Sequence, residues 1–295
     1  MRVGKWPGTC AGFLLPLFAA SLLSPWYATA RQGTTVLAPE ASAARAREVM
    51  QRAIQALGGP AYLGVRDWTR NAKYAAFDHN GSPRGTISIV TFSKYPDKVR
   101  TEYIFKTYFD TYIPVPVIPM AIHKTKTAFE VHNGDQGWTL GGGGVEELTP
   151  DALALYQQQR KKSIDILLRL RLNEPELILR YMGVDTLDLK QVDWVEVSDA
   201  DRYTTRIAFD HTTHLPVRAV YLYRDPVTHD PYEDADLYSN YRPFQGVMTP
   251  MQTLRMHNGV NLTQIFVEDI KYNTGLSDSL FTRESLEQIS GKKGK

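Results

Sequence analysis

The chain has 295 residues, of which 34 are Lys or Arg and 32 are Asp or Glu, so its formal net charge is +2. No block of basic residues stands out, which argues against nucleic acid as a partner. The single cysteine, Cys10, lies in a segment that we expect to be removed. The mature protein would then contain no thiol, which excludes a disulfide framework, a cysteine zinc site and a cysteine nucleophile.

Residues 1–30 have the pattern of a secretory signal peptide. Arg2 and Lys5 precede an apolar run over residues 12–23, and residues 28–30 (Ala-Thr-Ala) supply a cleavage site. The run is too short to span a bilayer as a helix, and Cys10 precedes it, so no lipid-attachment motif is formed. We predict a periplasmic protein that is cleaved after residue 30 and is then electrically neutral. An uncleaved N-terminal anchor is the alternative.

The mature chain is long enough for one sizeable core, and no change of composition divides it. Residues 31–40 are polar and predict a flexible leader. An Ala-rich stretch with apolar residues at helical spacing predicts a helix over residues 41–57, which Gly58-Gly59-Pro60 ends. We predict a single domain over residues 41–285 and a polar tail over residues 286–295.

Beyond Trp68 the apolar residues alternate with polar ones, as a strand with one buried face requires. In Lys98–Phe105, for example, Val99 and Tyr103 alternate with Arg100, which this pattern places on the exposed face. Short turns rich in Gly, Asn and Asp separate such stretches and predict antiparallel pairing. The predicted strands are Trp68–Asp78, Gly85–Lys94, Lys98–Phe105, Phe129–His132, Val192–Ser198, Tyr203–Asp210, Pro216–Arg224, Tyr232–Tyr241, Met248–His257 and Val260–Tyr272.

Thr149 and Pro150 are typical of a helix start, and the sequence predicts one helix from there to about Leu172. Its second half, from Ile164, is apolar over too wide an arc to be covered on one side only. A sheet that wraps around the helix would cover it. We therefore predict a mainly β fold with helices, in which a curved antiparallel sheet forms an unclosed half-barrel that helices cover on its concave side.

The segment Tyr112–Ile122 combines apolar side chains with three prolines, which prevent regular strand pairing. We predict a lid at a cavity mouth, or a loop that contacts a membrane or a partner, because exposed apolar loops usually mark contacts. A loop folded back onto the sheet is the alternative. The apolar residues of this segment are Ile113, Val115, Val117, Ile118 and Met120.

Large apolar and aromatic side chains of the strands and of the helix are candidates for the lining of a cavity under that helix. For each of them, ordinary packing in a β core is the alternative. The candidates are Trp68, Tyr74, Phe92, Tyr103, Trp138, Ile164, Leu167, Leu168, Trp194, Phe209 and Tyr221.

His211, His214 and the acidic residues Asp230, Glu233, Asp234 and Asp236 are residue types that can bind a metal. The two histidines lie in a predicted turn, and Asp234 and Asp236 share a strand face that we expect to be exposed, so we predict no metal site there. Gly141–Gly144 lacks the Lys-Ser/Thr ending of a phosphate loop and predicts a flexible hinge. The sequence contains no recognisable catalytic motif, so we predict no catalytic residue and no cofactor.

The order of these elements and three short segments resemble proteins of the LolA, LolB and LppX type. Residues 92–100 (Phe-Ser-Lys-Tyr-Pro-Asp-Lys-Val-Arg) resemble the family's strand, proline, strand segment. Residues 129–138 resemble its apolar strand, Asn-Gly turn and following Trp. Residues 240–250 resemble a segment common in LolA-like exported proteins. The resemblance spans roughly residues 41–285.

This resemblance implies a protein that binds acyl chains in a hydrophobic cavity between an unclosed sheet and the helices that cover it. Burial of an acyl chain contributes about 0.8 kcal/mol per CH₂, so such a cavity needs neither a catalytic group nor a cofactor. LolA carriers place an arginine that ties the lid immediately before the proline of the first segment. Here that position is Tyr95.

We therefore predict a periplasmic carrier or chaperone that is not an enzyme. Its expected partners are lipids or the acyl chains of lipoproteins, with contact to a membrane or a membrane protein. Two other classes stay open: a sensor that binds an apolar ligand and signals through a partner surface, and an exported enzyme of unrecognised type.

Overall fold

The structure is a computed structural model that describes residues 37–114, 119–201, 203–224 and 231–293. In these ranges the strands are β1 (Asp67–Phe77), β2 (Pro83–Lys94), β3 (Lys98–Pro114), β4 (Pro119–Asn133), β5 (Gln136–Gly141), β6 (Gly144–Glu147), β7 (Ile178–Leu187), β8 (Lys190–Ser198), β9 (Thr204–Asp210), β10 (Pro216–Arg224), β11 (Pro231–Phe244), β12 (Val247–His257) and β13 (Val260–Tyr272). These thirteen described strands form one antiparallel sheet in the order β6-β5-β4-β3-β2-β1-β13-β12-β11-β10-β9-β8-β7. Because β6 and β7 end the order without pairing with each other in the described ranges, the sheet is unclosed, as predicted.

Helices flank the sheet and occur at both ends and in the middle of the described chain. They are α1 (Pro39–Ala56), α2 (Pro60–Leu63), α3 (Pro150–Lys162), α4 (Ile164–Ile166), a π-helix (Leu167–Arg171), a 3₁₀-helix (Asp278–Phe281) and α5 (Arg283–Lys293). Helix α1 confirms the predicted N-terminal helix, and it ends before Gly58 and Gly59, which both have positive φ. Among the helices that the structure describes, none is long and apolar enough to cross a membrane.

All ten predicted strands are present, and β5, β6 and β7 are additional. Gly141 pairs with Gly144 at the turn between β5 and β6, so the flexible hinge predicted there is wrong. Strand β7 escaped prediction because its apolar residues do not alternate. A bulge between Tyr181 and Gly183 shifts its register, and Ile178 is 68% exposed at the sheet edge.

The prediction of one continuous helix from Thr149 to Leu172 is wrong. The helix is interrupted at Ser163, whose ψ of 139° is not helical. Thr149 caps α3 as predicted, since its Oγ1 accepts a hydrogen bond from the backbone N–H of Ala152 at 3.3 Å. Helix α3 is largely polar, whereas α4 and the π-helix are largely buried. A straight helix could not leave the first half at the surface and place the second half in the core, and the break at Ser163 permits both.

Side chains alternate between the two faces of the sheet, which we call the inner and the outer face. The inner face is concave and packs against α1, α2, α4 and the π-helix in a cluster that includes Met50, Leu167 and Phe209. The outer face packs against the C-terminal helices in a second cluster, which includes Trp138 and Phe281. The predicted cover of the concave side by helices is thus confirmed.

The two chain ends differ from the predicted boundaries. The predicted leader ends too late, because α1 already begins at Pro39. The predicted polar tail is wrong over residues 286–293, because α5 continues to Lys293 and Leu286 is fully buried. Leu286 and Ile289 lie one helical turn apart and pack on the outer face, a spacing that is sparse in sequence but sufficient for one helix. The predicted signal peptide, residues 1–30, lies outside the described residues.

The segment Tyr112–Ile122 forms the end of the β3–β4 hairpin, so the predicted irregular loop is too long. Tyr112 pairs with Ala121, and Pro114 pairs with Pro119. Proline is tolerated here because Pro114 ends one strand and Pro119 begins the next. Outside the described part lie Val115, Val117 and Ile118, together with the side chains of Ile113 and Met120. The lid interpretation therefore stays a prediction.

Candidate ligand-binding site

A cavity of about 210 Å³ lies between the inner face and the helices that cover it. Strands β1, β11, β12 and β13 form one wall, and α2, α4 and the π-helix form the other. Its apolar lining residues are Leu57, Trp68, Ile164, Leu168, Pro216, Val247, Met248, Pro250, Val267 and Ile270. Its polar lining residues are Tyr62, Arg70, Tyr95, Asp165, Arg169, Tyr238, Tyr241, Thr249, Thr253 and Tyr272. The cavity is therefore amphipathic instead of purely apolar.

A second cavity, of about 270 Å³, continues along the inner face beneath α3. Tyr74 and Tyr103 belong to its sheet wall, and their rings meet edge to face with centroids 6.5 Å apart. Tyr156 contributes from α3. Trp68 and Arg70 line both cavities. Because these two residues are alternate members of β1, they point to the same face and form the boundary between the cavities.

Asp165 of α4 organises the polar part of the first cavity. Its carboxylate accepts hydrogen bonds from the hydroxyl of Tyr62 at 3.1 Å, from the hydroxyl of Tyr95, and from Nε of Arg169 at 2.6 Å. Burial, followed by the negative charge of Asp165, raises the pKa of Tyr62 and Tyr95 far above the ordinary range of a phenol. Although burial alone would lower the pKa of Arg169, Asp165 and the two phenols raise it. The two phenols and the guanidinium therefore stay protonated, and their hydrogen bonds to Asp165 tie α4 to α2, to the β2–β3 turn and to the π-helix.

Arg70 differs from Arg169, because no described carboxylate forms an ion pair with it. Its Nε is inaccessible to solvent and has no hydrogen-bond partner among the described residues. Its guanidinium stacks on Trp68, with Cζ 5.1 Å from the ring centroid. Burial lowers the pKa of Arg70 from its ordinary value, although the group remains a cation at neutral pH. An uncompensated positive charge therefore lies where the two cavities meet.

Two carboxylates on the inner face have partners within the chain. Arg255 forms a bidentate ion pair with Asp236, with both N···O distances 2.8 Å, and Tyr221 donates a hydrogen bond to the same carboxylate at 3.3 Å. Glu130 Oε1 lies 2.6 Å from Nε2 of His132. These partners leave Asp236 and Glu130 engaged with their own neighbours.

The structure brings five predicted lining residues together at these cavities. Trp68, Ile164 and Leu168 line the first cavity, and Tyr74 and Tyr103 line the second together with Trp68. Leu167 and Phe209 lie behind the first cavity, in the core of the inner-face cluster. Tyr221 also points to the inner face, where it contacts Asp236 without lining either cavity.

The other three predicted lining residues point to the outer face. Phe92 and Trp138 pack in the cluster beneath the C-terminal helices. Trp194 and Val195 are neighbours in β8 and therefore point to opposite faces. Val195 packs in the inner-face cluster, so Trp194, which pairs with Ala208, points outward. These side chains are large and apolar, but the face of the sheet to which each one points depends on the register of its strand. A register shift of one residue moves every side chain of a strand to the opposite face.

Two other sequence expectations about charged residues are wrong. Arg100 is only 6% exposed, because the 3₁₀-helix covers it and the carbonyl of Leu280 accepts a hydrogen bond from it. Asp234 and Asp236 face inward instead of toward solvent, since β11 lies in the middle of the sheet beneath the helical cover. Asp236 is 6% exposed and pairs with Arg255.

Arg70, Asp165 and Arg169 were not among the predicted site residues, although the sequence contains an indication of each. Arg70 is in phase with Trp68, which is an inward position of a strand, and a charge in that phase is unexpected. Asp165 and Arg169 are four residues apart in an otherwise apolar segment, as an intrahelical ion pair requires. Tyr95, at the position discussed above in the strand, proline, strand segment, contacts the covering helices through a hydrogen bond to Asp165.

The predicted turn at His211 and His214 is confirmed, since it joins β9 to β10. His211 Nδ1 lies 2.7 Å from Oδ2 of Asp193, and His257 Nδ1 lies 2.7 Å from Oδ1 of Asp234. No group of three or more His, Cys, Asp or Glu side chains suited to a metal ion occurs in the part of the chain that the structure describes.

No protein-family profile matches the chain, and no curated protein sequence matches it. Several solved structures do match the chain. A DUF1329 family protein from Desulfovibrio piger is 16% identical with a TM-score of 0.55, and the alignment covers 83% of this chain and 99% of that one. A predicted outer membrane lipoprotein-sorting protein domain from Vibrio parahaemolyticus is 12% identical with a TM-score of 0.51, covering 83% and 99%.

A LolA superfamily protein from Nitrosomonas europaea is 13% identical with a TM-score of 0.52, and the alignment covers 82% of this chain and 99% of that one. At these identities the likeness concerns the fold alone. It extends over nearly the whole of each solved chain. The protein therefore has the fold of LolA superfamily proteins, as the resemblance in its sequence implied.

Proposed function

We propose that the protein is an exported, non-catalytic carrier or chaperone that holds the acyl chain of a lipid or lipoprotein against the inner face. The observation that supports this proposal is the cavity between an unclosed sheet and its helical cover, with Trp68, Leu168 and Ile270 in its wall. Each CH₂ that leaves water contributes about 0.8 kcal/mol, so such a site needs no reactive group. The likeness to a predicted lipoprotein-sorting domain supports the same class.

Export in this proposal rests on the signal-peptide pattern of residues 1–30. The hairpin end Tyr112–Ile122 would contact a membrane or a membrane protein during transfer, because its sequence is apolar. Its contact residues in this proposal are Ile113, Val115, Val117, Ile118 and Met120.

The test is native mass spectrometry of the protein purified from a bacterial periplasm, followed by organic extraction and identification of the lipid. Thr253 lines the cavity and pairs with Tyr238 and Ile265 across the sheet. Thr253→Trp should fill the cavity and abolish lipid retention. The matched control is Gln252→Trp, one residue away on the outer face of the same strand, which should retain lipid like the wild type.

Both variants are first checked for an unchanged melting temperature, because overpacking of a core costs about 1–3 kcal/mol. Should the folded wild type carry no lipid and take up none, the cavity would be filled by its own side chains and the proposal would be withdrawn. Equal lipid retention by the two folded variants would place the lipid elsewhere and contradict the assigned site.

A further inference from the structure

The first cavity has an unbalanced charge. The charged residues in its wall are Arg70, Asp165 and Arg169. Asp165 is used by Arg169 and by two tyrosine hydroxyls, so it is not available to Arg70. The wall of the cavity therefore carries one net positive charge in an amphipathic setting. Burial of an unpaired charge is unfavourable, and a ligand that supplies the missing anion would relieve it.

The contact between Arg70 and Trp68 leaves the donors of Arg70 free. A cation stacked on an aromatic ring uses the face of the guanidinium, whereas its N–H groups lie at the edge of the plane. Nε of Arg70 is buried without a hydrogen-bond partner among the described residues. Trp68 thus holds the plane of the guanidinium in the wall that the two cavities share, and no described residue accepts a hydrogen bond from its Nε.

Arg169 lines the same cavity and also has a donor without a hydrogen-bond partner among the described residues. Its Nε is bonded to Asp165, but its Nη1 is buried and no hydrogen-bond partner for it exists in the described chain. The planar guanidinium matches the oxygens of carboxylates and phosphates, and hydrogen bonds to such charged groups are stronger than neutral ones. Two arginine donors in one amphipathic cavity are a suitable receptor for an anionic group at the end of an apolar chain.

We infer that the cavity selects an anionic amphiphile, whose carboxylate or phosphate pairs with Arg70 and accepts a hydrogen bond from Arg169. The acyl chain of the ligand lies along Trp68, Leu168 and Ile270. This inference rests on the proposed function, because it names the class of lipid that the same site takes. It adds that the charge of the headgroup, and not the chain alone, determines affinity.

The experiment is calorimetric titration of the delipidated protein with three ligands of equal chain length, each below its aggregation concentration. Palmitate carries a carboxylate, 1-palmitoyl lysophosphatidate carries a phosphate, and 1-palmitoylglycerol is neutral. We expect an anionic ligand to bind at least about tenfold more tightly than the neutral one. The tighter of the two anionic ligands identifies which group the site prefers.

Arg70→Met removes the charge and keeps the length of the side chain. It should weaken anionic binding by about tenfold to a hundredfold and leave 1-palmitoylglycerol within about twofold. Arg70→Lys should retain part of the preference. Arg180→Met is the matched control, since Arg180 pairs with Glu196 on the outer face at 2.9 Å, and it should bind all three ligands like the wild type.

The melting temperature of the ligand-free variant separates binding from a structural role. Removal of an uncompensated buried charge should leave it unchanged or raise it. A lower melting temperature with equal loss of all three ligands would make Arg70 structural and overturn the inference. Equal wild-type affinity for the three ligands would also overturn it, while leaving the acyl-chain carrier intact. If none of the three binds, the proposed function itself fails.

Discussion

The two faces of the sheet differ in what surrounds an arginine side chain. On the outer face, Arg100 bonds to Glu102 at 2.9 Å and to the carbonyl of Leu280, and it stacks on Phe129. On the inner face, Arg70 has Trp68 beneath it and no described carboxylate beside it. The charge of the first arginine is neutralised by Glu102, whereas the second lines two cavities and has no ion-pair partner among the described residues.

This difference extends to the packing around each arginine. The outer-face cluster is filled, and its members Val131, Phe281 and Leu286 are all 0% exposed. The inner face contains cavities, buried ion pairs and tyrosine hydroxyls. Filled apolar packing serves to attach the C-terminal helix, while space combined with unsatisfied donors is what a ligand site requires. The following three predictions test this contrast, beginning with the largest expected effect.

Phe281→Ala should lower the free energy of unfolding by about 3–5 kcal/mol, because it leaves a void in a closely packed cluster. Lipid uptake should persist in the folded variant, since Phe281 lies on the other face. Leu168→Ala is the paired variant: it borders an existing cavity, so we expect a smaller loss of stability together with altered lipid uptake. Urea unfolding and native mass spectrometry measure both quantities. A larger stability loss for Leu168→Ala would contradict the distinction between the faces.

Lys162 is the last residue of α3, on the inner side of the sheet. From its burial we predict that the free energy of unfolding depends on pH. Lys162 is 3% exposed and lies over the rings of Tyr203 and Tyr223, at 3.6 and 4.2 Å from their centroids. Burial, only partly opposed by Asp199 and Asp234, lowers the pKa of Lys162 from 10.5 to about 8. The folded state therefore releases this proton at lower pH than the unfolded state does.

Stability should accordingly rise between pH 8 and pH 10, where the unfolded chain binds more protons than the folded one. The gain from pH 7 to pH 9.5 is about 2 kcal/mol. Above pH 10 the buried tyrosines reverse the trend, because their raised pKa values keep them protonated only in the folded state. Urea unfolding at several pH values should show the rise in the wild type and not in Lys162→Met. The same rise in both proteins would exclude Lys162 as its source.

The smallest expected effect concerns how the inner cover begins. Thr149→Ala removes the hydrogen bond to the backbone N–H of Ala152 and should cost about 1 kcal/mol of stability. Thr149→Asp should restore it, because aspartate also caps a helix and its charge favours the N-terminus. Thermal unfolding of the two variants provides the comparison. If both lose equal stability, capping does not explain the role of Thr149.

The sequence predicted the regular strands well because each central strand repeats one simple alternation. Strand β7 lacks this alternation. It lies at the sheet edge, where Ile178 and Val184 are exposed, and its bulge changes which residues point to each face. The break at Ser163 was also hidden, because α3 and the segment after it both consist of good helix formers. The boundary between the two helices depends on the residues that each helix contacts, and those residues are distant in sequence.

The sequence selected some of the residues that line the first cavity but none of its charged ones. Trp68 and Leu168 were selected as large apolar residues, and both lie in the cavity wall. Arg70 was overlooked because a single charge in a strand is usually solvated. Its meaning depends on the absence of a nearby carboxylate in the described residues, which is a property of the assembled sheet and cannot be read from one strand.

The unclosed sheet makes the capacity of the inner face adjustable. A closed sheet of given strand number and shear has a fixed circumference, but this sheet ends at β6 and β7. Its curvature can therefore relax through small changes of twist between neighbouring strands, without loss of any backbone hydrogen bond. The cavity of about 210 Å³ is smaller than the roughly 300–1,000 Å³ of ordinary ligand pockets. In the proposed carrier, elastic opening of the sheet would let the inner face take acyl chains of different length.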